Sequence, residues 1–261
     1  MIVNKYWIAV VAGITLLACD DDQPKHDTRN GTILYKVSDR GVDPENTYRI
    51  KYNSEGFISE KETYYKDEKK LLSSMVYEYT DGKLANVSVY RLDENKDLQL
   101  AARSLYIYDD NGMLERITSE TGGHVWNIRT VTWSNNRIVK ISSPYRYDTL
   151  EYDDRGNILE ERSYSIRDDE QHVLTHRREY EFDDKPNPVN VESNGYPFTW
   201  PHGNNNNIIR MHSWNVTDGV ESTSSLYTYE YQYNEYGLPV ICTNKTVDGN
   251  APFVERHFYY K

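Results

Sequence analysis

Three pairs of adjacent carboxylates recur along the chain: Asp109/Asp110, Asp153/Asp154 and Asp183/Asp184. Paired carboxylates can hold calcium through hard oxygen ligands, or share the acid and nucleophile roles of glycoside hydrolysis. Each pair, however, sits in one local phrase, as in "YDDNGML" from Tyr108 and "YDDRGNI" from Tyr152. Aspartate at the start of a tight turn accepts bonds from backbone N–H groups just ahead of it, so turn formation accounts for all three pairs without a ligand. His172 and His176 would share a strand face about 13 Å apart, too far for one metal, and read as surface residues. The stretch Tyr196–Trp214 gathers Trp200, His202 and Trp214 around an asparagine run. Aromatic rings beside amides suit stacking and hydrogen bonding to sugars, which makes these three the candidate ligand surface. The alternative is a long hairpin with its tryptophans in the core and a polar asparagine tip. No Ser-His-Asp elbow, P-loop, HExxH or dinucleotide fingerprint is present. The expectation is a non-enzymatic protein with no cofactor and no metal.

The elements that must position these residues are hairpins. The phrase of an aromatic, a three- or four-residue turn and a Gly or Asn recurs at Tyr52, Tyr79, Tyr108, Trp133, Tyr152, Phe182 and Tyr233, with "WPHGNNNNI" from Trp200 a degenerate copy. In "DDNG" and "DDRG" the glycine can adopt the left-handed conformation that closes a type I turn with a G1 bulge, whereas "TDG" and "SNN" suit two-residue type I′ turns. The flanks alternate as strands do: Tyr227, Tyr229, Tyr231 and Tyr233 fall on one face, and Thr228, Glu230 and Gln232 on the other. Two residues past the glycine position stand Ile58, Leu84, Leu114, Ile138 and Ile158. Five past it stand Val87, Ile117, Ile141, Val191 and Cys242. Two and five have opposite parity, so either a bulge unites them on one face or both faces are partly covered.

Composition narrows the class. A formal net charge of −11 argues against nucleic acid, which needs a basic face. Of two cysteines, Cys242 has no intrachain disulfide partner once Cys19 is assigned below, and reads as a small core residue. Tyrosine is the unusual residue, with 24 copies against 5 each of Phe and Trp. It combines strand propensity with an apolar body and a polar tip. The reading is all-β: a meander of sixteen to eighteen antiparallel strands curling into a soluble barrel-like sheet, because an open sheet of that size would leave two long edges. Densely charged strands such as "HRREYEF" at His176–Phe182 speak against an integral outer-membrane barrel, whose lipid-facing band is nearly free of charge.

The N-terminal residues give an address. Lys5 and the apolar run Tyr6–Leu17 read as a signal peptide over residues 1–18, too short to span a bilayer comfortably. "LLAC" at Leu16–Cys19 resembles the bacterial lipobox, which implies fatty acylation (palmitate-type) of Cys19; the alternative is an ordinary secretory signal with a chance cysteine. Residues 19–30 are polar and read as an acidic tether, leaving 31–261 as a single domain. Asp20, Asp21 and Asp22 resemble the surface-export signal of Bacteroidetes-type lipoproteins, although an Asp after the Cys resembles a retention signal in enterobacterial systems.

The "YDxxGxL" phrase resembles the YD (Rhs-type) repeat. With the lipobox and "YEYQYNEYGLPV" near the C-terminus, residues 31–261 resemble an uncharacterised family of tyrosine-rich Bacteroidetes lipoproteins with a porin-like fold. The resemblance implies a barrel and brings no catalytic residues. The expected role is a lipid-anchored outer-membrane protein facing the cell surface, binding a glycan or an envelope protein. The alternatives are a structural periplasmic subunit of an envelope complex and a glycan hydrolase.

Overall fold

The computed structural model describes residues 34–40, 46–65, 70–168, 170–188, 204–246 and 254–260. They form sixteen strands. The first eight are β1 (Leu34–Arg40), β2 (Asn46–Tyr52), β3 (Ile58–Tyr65), β4 (Lys70–Thr80), β5 (Lys83–Leu92), β6 (Leu98–Tyr108), β7 (Leu114–Thr121) and β8 (His124–Ser134). The second eight are β9 (Arg137–Ser143), β10 (Arg146–Tyr152), β11 (Ile158–Ile166), β12 (His172–Pro186), β13 (Asn206–Thr217), β14 (Val220–Tyr233), β15 (Pro239–Thr246) and β16 (Val254–Tyr260). Each pairs antiparallel with its neighbours in sequence, and β1 pairs with β16, so the expected sheet closes into a barrel. Closure leaves no free edge to template aggregation.

All seven aromatic phrases fall at one end of the barrel, where even strands lead into odd ones; this is the repeat rim. β1 begins and β16 ends at the same rim. The turn chemistry is as the sequence predicts. Gly112 and Gly156 have φ of 79° and 89°. Their N–H groups donate to the carbonyls of Asp109 and Asp153, and each aspartate N–H donates onward across a G1 bulge. Asp81–Gly82 and Asn135–Asn136 have positive φ at both positions, as type I′ turns require.

The parity problem resolves through bulges. Tyr52 pairs with Ile58 while Lys51 pairs with Glu60, leaving Ser59 as an extra residue. The same slip follows Leu84, Leu114, Ile138, Ile158, Ile208 and Pro239. One inserted residue flips the face of everything after it, which brings Leu84 and Val87, or Leu114 and Ile117, to the same side. The Phe182 copy corrects the sequence reading: Phe182 pairs with Ile208, so Met211 takes the position expected for Val191. The Phe182 phrase and the asparagine run that ends the Trp200 phrase therefore flank one β12–β13 connection.

The face these residues share is the inner one. Ile58 and Leu84 are 1% exposed and Ile117 is 0% exposed; on the convex side of a barrel nothing would cover them. They belong to three apolar clusters linked through Tyr77 and Tyr229 into a belt that follows neighbouring strands around the wall. Burial against neighbouring side chains pushes the phenols of Tyr79, Tyr108, Tyr152 and Tyr229 up to about 12. Cys242 lies in the belt, as expected of a small core residue, and burial raises its thiol to about 11.

The tyrosines of the repeat have a second task. In every even strand an aromatic stands three residues beyond the last rung shared with the preceding strand, for example Tyr108 after Leu105 and Trp133 after Thr130. In six of these positions the ring's polar atom donates to the first carbonyls of that preceding strand. Tyr52, Tyr108, Trp133, Tyr152, Tyr231 and Tyr260 reach Leu34, Leu84, Leu114, Ile138, Ile208 and Pro239, at 2.6 to 3.0 Å. The ladder has already ended there, so the ring caps a carbonyl and ties adjacent hairpins around the rim.

Candidate functional site

Of the residues nominated by sequence, Cys19, Asp20, Asp21, Asp22, Trp200 and His202 lie outside the described residues. Trp214 is described, on β13, half-buried on the outer face. Its ring lies against His212, with centroids 3.7 Å apart, and the Arg177 guanidinium stands 4.8 Å from it. Arg177 is held in turn by Glu160, Glu179 and Glu221. Trp214 is thus packed into an ion-pair network, and its neighbours already occupy much of its ring surface.

The asparagine run is not a loose polar tip. Asn204 and Asn207 are buried, and so is Asn157 on the neighbouring β10–β11 hairpin. Asn157 donates to Asp153 and to the side-chain oxygen of Asn206, both at 2.9 Å, and accepts from the Asn206 N–H at 3.0 Å. Asn204 accepts from the Ile158 N–H at 2.7 Å. The Asp183 carboxylate accepts from the N–H groups of Lys185 and Asn207 and from the Tyr233 hydroxyl. These amides pin the start of β13 onto the neighbouring β10–β11 hairpin. Buried amides satisfied in this way have little capacity left for a sugar.

The first aspartate of each carboxylate pair is likewise engaged by its turn. Asp109 accepts from Asn111 and Met113 at 3.0 and 2.8 Å, and Asp153 from Asn157 at 2.8 Å. Burial alone would raise the Asp153 pKa, but its hydrogen bonds to Asn157 and the charge of Arg155 outweigh that and hold it below the usual carboxylate range. The two histidines differ from expectation. Thr175 is a bulge residue, so His172 and His176 face opposite sides. His172 meets the Tyr147 hydroxyl outside at 3.3 Å, while His176 lies 3.0 Å from both Ser213 and Asn215 inside. Among the described residues no group of three His, Cys, Asp or Glu has metal-binding geometry.

What sequence reasoning missed is the polar half of the inner wall. Beyond the apolar belt, toward the far rim, Arg256 makes a two-pronged pair with Asp39 at 2.6 and 3.1 Å. Burial would lower the Arg256 pKa, but the bond and charge of Asp39 more than offset this, so the guanidinium stays protonated. Arg178 pairs with Glu161 at 3.0 Å, and Glu161 also accepts from the Tyr180 hydroxyl at 3.0 Å. Arg146 pairs with Asp148 at 3.3 Å. The signal was present five residues past the glycine position, where Lys61 and Glu161 replace the apolar residues of other copies.

No family model and no curated protein matches the chain. Solved structures do match its fold. A porin-like protein from Bacteroides uniformis is similar over 87% of this chain and 96% of its own, with a TM-score of 0.54 and 15% identity. A porin-like protein from Bacteroides vulgatus is similar over 88% of this chain and 99% of its own, with a TM-score of 0.46 and 13% identity. A chain of the TcdB2–TccC3–Cdc42 structure is similar over 82% of this chain but 15% of its own, with a TM-score of 0.30 and 11% identity. At these identities the likeness to the first of them shows a porin-like fold.

Proposed function

We propose that this chain is a lipid-anchored, non-enzymatic binding or scaffold protein of the outer envelope, displayed on the cell surface. One observation carries the reading: the strand that follows the lipobox and acidic tether starts at the repeat rim. From Cys19 to Leu34 is fifteen residues, a reach of at most about 50 Å. A chain acylated at Cys19 would be tethered to the membrane through its repeat rim, within that reach. The outer face supports a tethered rather than an integral barrel. It carries Lys51, Glu60 and Glu62 in one cluster and Arg162 with Glu151 and Glu160 in another, and such charges are expensive against lipid. Surface display rests on Asp20, Asp21 and Asp22, and the partner is a glycan or an envelope protein.

The test has two parts. Cells fed an alkyne-tagged palmitate should label the chain, and Cys19→Ala should abolish the label; persistent labelling would sink the anchor. Protease shaving of intact cells should then remove a C-terminal tag. Protection until lysis would move the protein to the periplasm, and a structural role in an envelope complex would replace surface binding.

A further inference from the structure

A barrel of sixteen strands is too wide for its own side chains to fill; porins of this strand number enclose an aqueous lumen. Here the apolar clusters follow neighbouring strands around the wall instead of meeting across it. The exposed surface of that wall has two layers. Near the repeat rim, the ring-to-carbonyl bonds turn the polar atoms of Tyr52, Tyr108, Trp133, Tyr152, Tyr231 and Tyr260 onto the backbone. Ring carbon is left to face the interior.

The second layer is cationic and runs from the edge of the belt to the far rim. Besides the arginines paired with Asp39, Asp148 and Glu161, four further cations share the inner face. At the belt's edge, Lys61 pairs in register with Ile50 and Met75 and lies 5.1 Å from the Tyr48 ring, and Arg129 pairs in register with Ile117. Lys70 pairs with Tyr65, and Arg91 with Ser73. All four stand on β3–β8, and among the described residues no carboxylate shares the inner face of those strands. A positive inner wall stands out in a chain whose formal charge is −11. Low-dielectric walls of one sign focus the field into the cavity they enclose.

We propose that the lumen binds a single-chain amphipathic anion, with its hydrocarbon body against the ring belt and its carboxylate or phosphate head at the cationic layer on β3–β8. This rests on the binding-protein reading above and adds to its glycan or protein partner a small-molecule site in the lumen. Charge complementarity selects the head, and the belt selects the tail; a small hydrophilic anion would leave the belt unused.

Calorimetric titration of the full mature chain, purified without detergent, tests this with two probes of one tail length. Dodecanoate below its micellar concentration should bind about one per chain, on the order of tenfold tighter than dodecyltrimethylammonium. Lys70→Glu with Arg91→Glu, both exposed at the far mouth, should weaken dodecanoate about tenfold or more. Lys245→Glu, the same change on the outer face, should leave it unaltered, with circular dichroism confirming the fold of each variant. Equal binding of the two probes to the unaltered chain, no binding of either, or indifference to the Lys70/Arg91 reversal would overturn the proposal. Any of these would leave the anchor at Cys19 to its own acylation test.

Discussion

The two rims are built by the same chain under different rules. At the repeat rim, hairpin after hairpin shares one register, one bulge position and one aromatic three residues past the last rung. At the far rim the connections differ from one another. Gly122–Gly123 and Asp218–Gly219 form two-residue turns with positive φ, while Lys96 and Glu170 occupy the left-handed position at φ of 68° and 62° without the glycine that favours it. Exposure leans the same way. The repeat half holds the fully buried Ile58, Leu84 and Ile117, with Leu159, Ile209 and Tyr236 exposed there, whereas Leu98, Leu100, Val125, Trp126 and Tyr145 lie exposed toward the far rim, Trp126 at 64%. The repetition in the sequence is thus the repetition of one structural task at one end: closing hairpins, covering the belt and capping carbonyls. The far end, free of that task, is where the wall becomes polar and the loops vary.

The widest break in this comparison should come from alkali. A phenol whose pKa is higher folded than unfolded contributes stability that is fully present below the unfolded value near 10 and lost as pH rises through the folded value. Tyr79, Tyr108, Tyr152 and Tyr229 stand at about 12, so the belt should melt cooperatively between about pH 10 and 12. Ultraviolet titration should show a late, cooperative group of tyrosinates appearing with loss of the strand dichroism. Independent ionisation near 10 would mean that the phenol groups are not packed into the wall.

Single substitutions should repeat the asymmetry on a smaller scale. Ile117→Ala removes a fully buried side chain and should cost about 2–5 kcal/mol in urea denaturation. Leu100→Ala at the far rim should cost no more than about 0.5 kcal/mol. Comparable losses would erase the distinction between the two halves. Smaller again, Tyr108→Phe should lose about 1 kcal/mol by leaving the Leu84 carbonyl uncapped. Phe182→Tyr, which restores a hydroxyl where the ring of carbonyl ties has a gap, should recover a similar amount. The smallest expected change is a gain. Lys96→Gly relieves a left-handed residue that costs about 1–2 kcal/mol, partly offset by the greater chain entropy of glycine. A net stabilisation of roughly 0.5 kcal/mol should follow, readable as a rise in melting temperature.

Much of this barrel is legible along the chain. "DDNG" and "DDRG" specify type I turns with a G1 bulge, and "TDG" a type I′ turn, because turn chemistry acts within five residues. The alternation of Tyr227 to Tyr233 assigns a face for the same local reason. Other features resist such reading. The pairing of Phe182 with Ile208 depends on which residues meet across an insertion. The separation of His172 from His176 depends on a bulge at Thr175, whose own side chain gives no sign of it.

By itself the sequence determined the strands, their turns and the position of the repeated aromatics, since each is decided by the covalent neighbourhood and the period of the pleat. Only the tertiary structure decided closure and sidedness. Closure requires Leu34–Arg40 to find Val254–Tyr260 across the whole length of the chain, and no local preference encodes that meeting. Sidedness follows from it. Until the sheet curves shut, the face bearing Lys61, Lys70, Arg91 and Arg129 is one of two open surfaces; afterwards it is the inside.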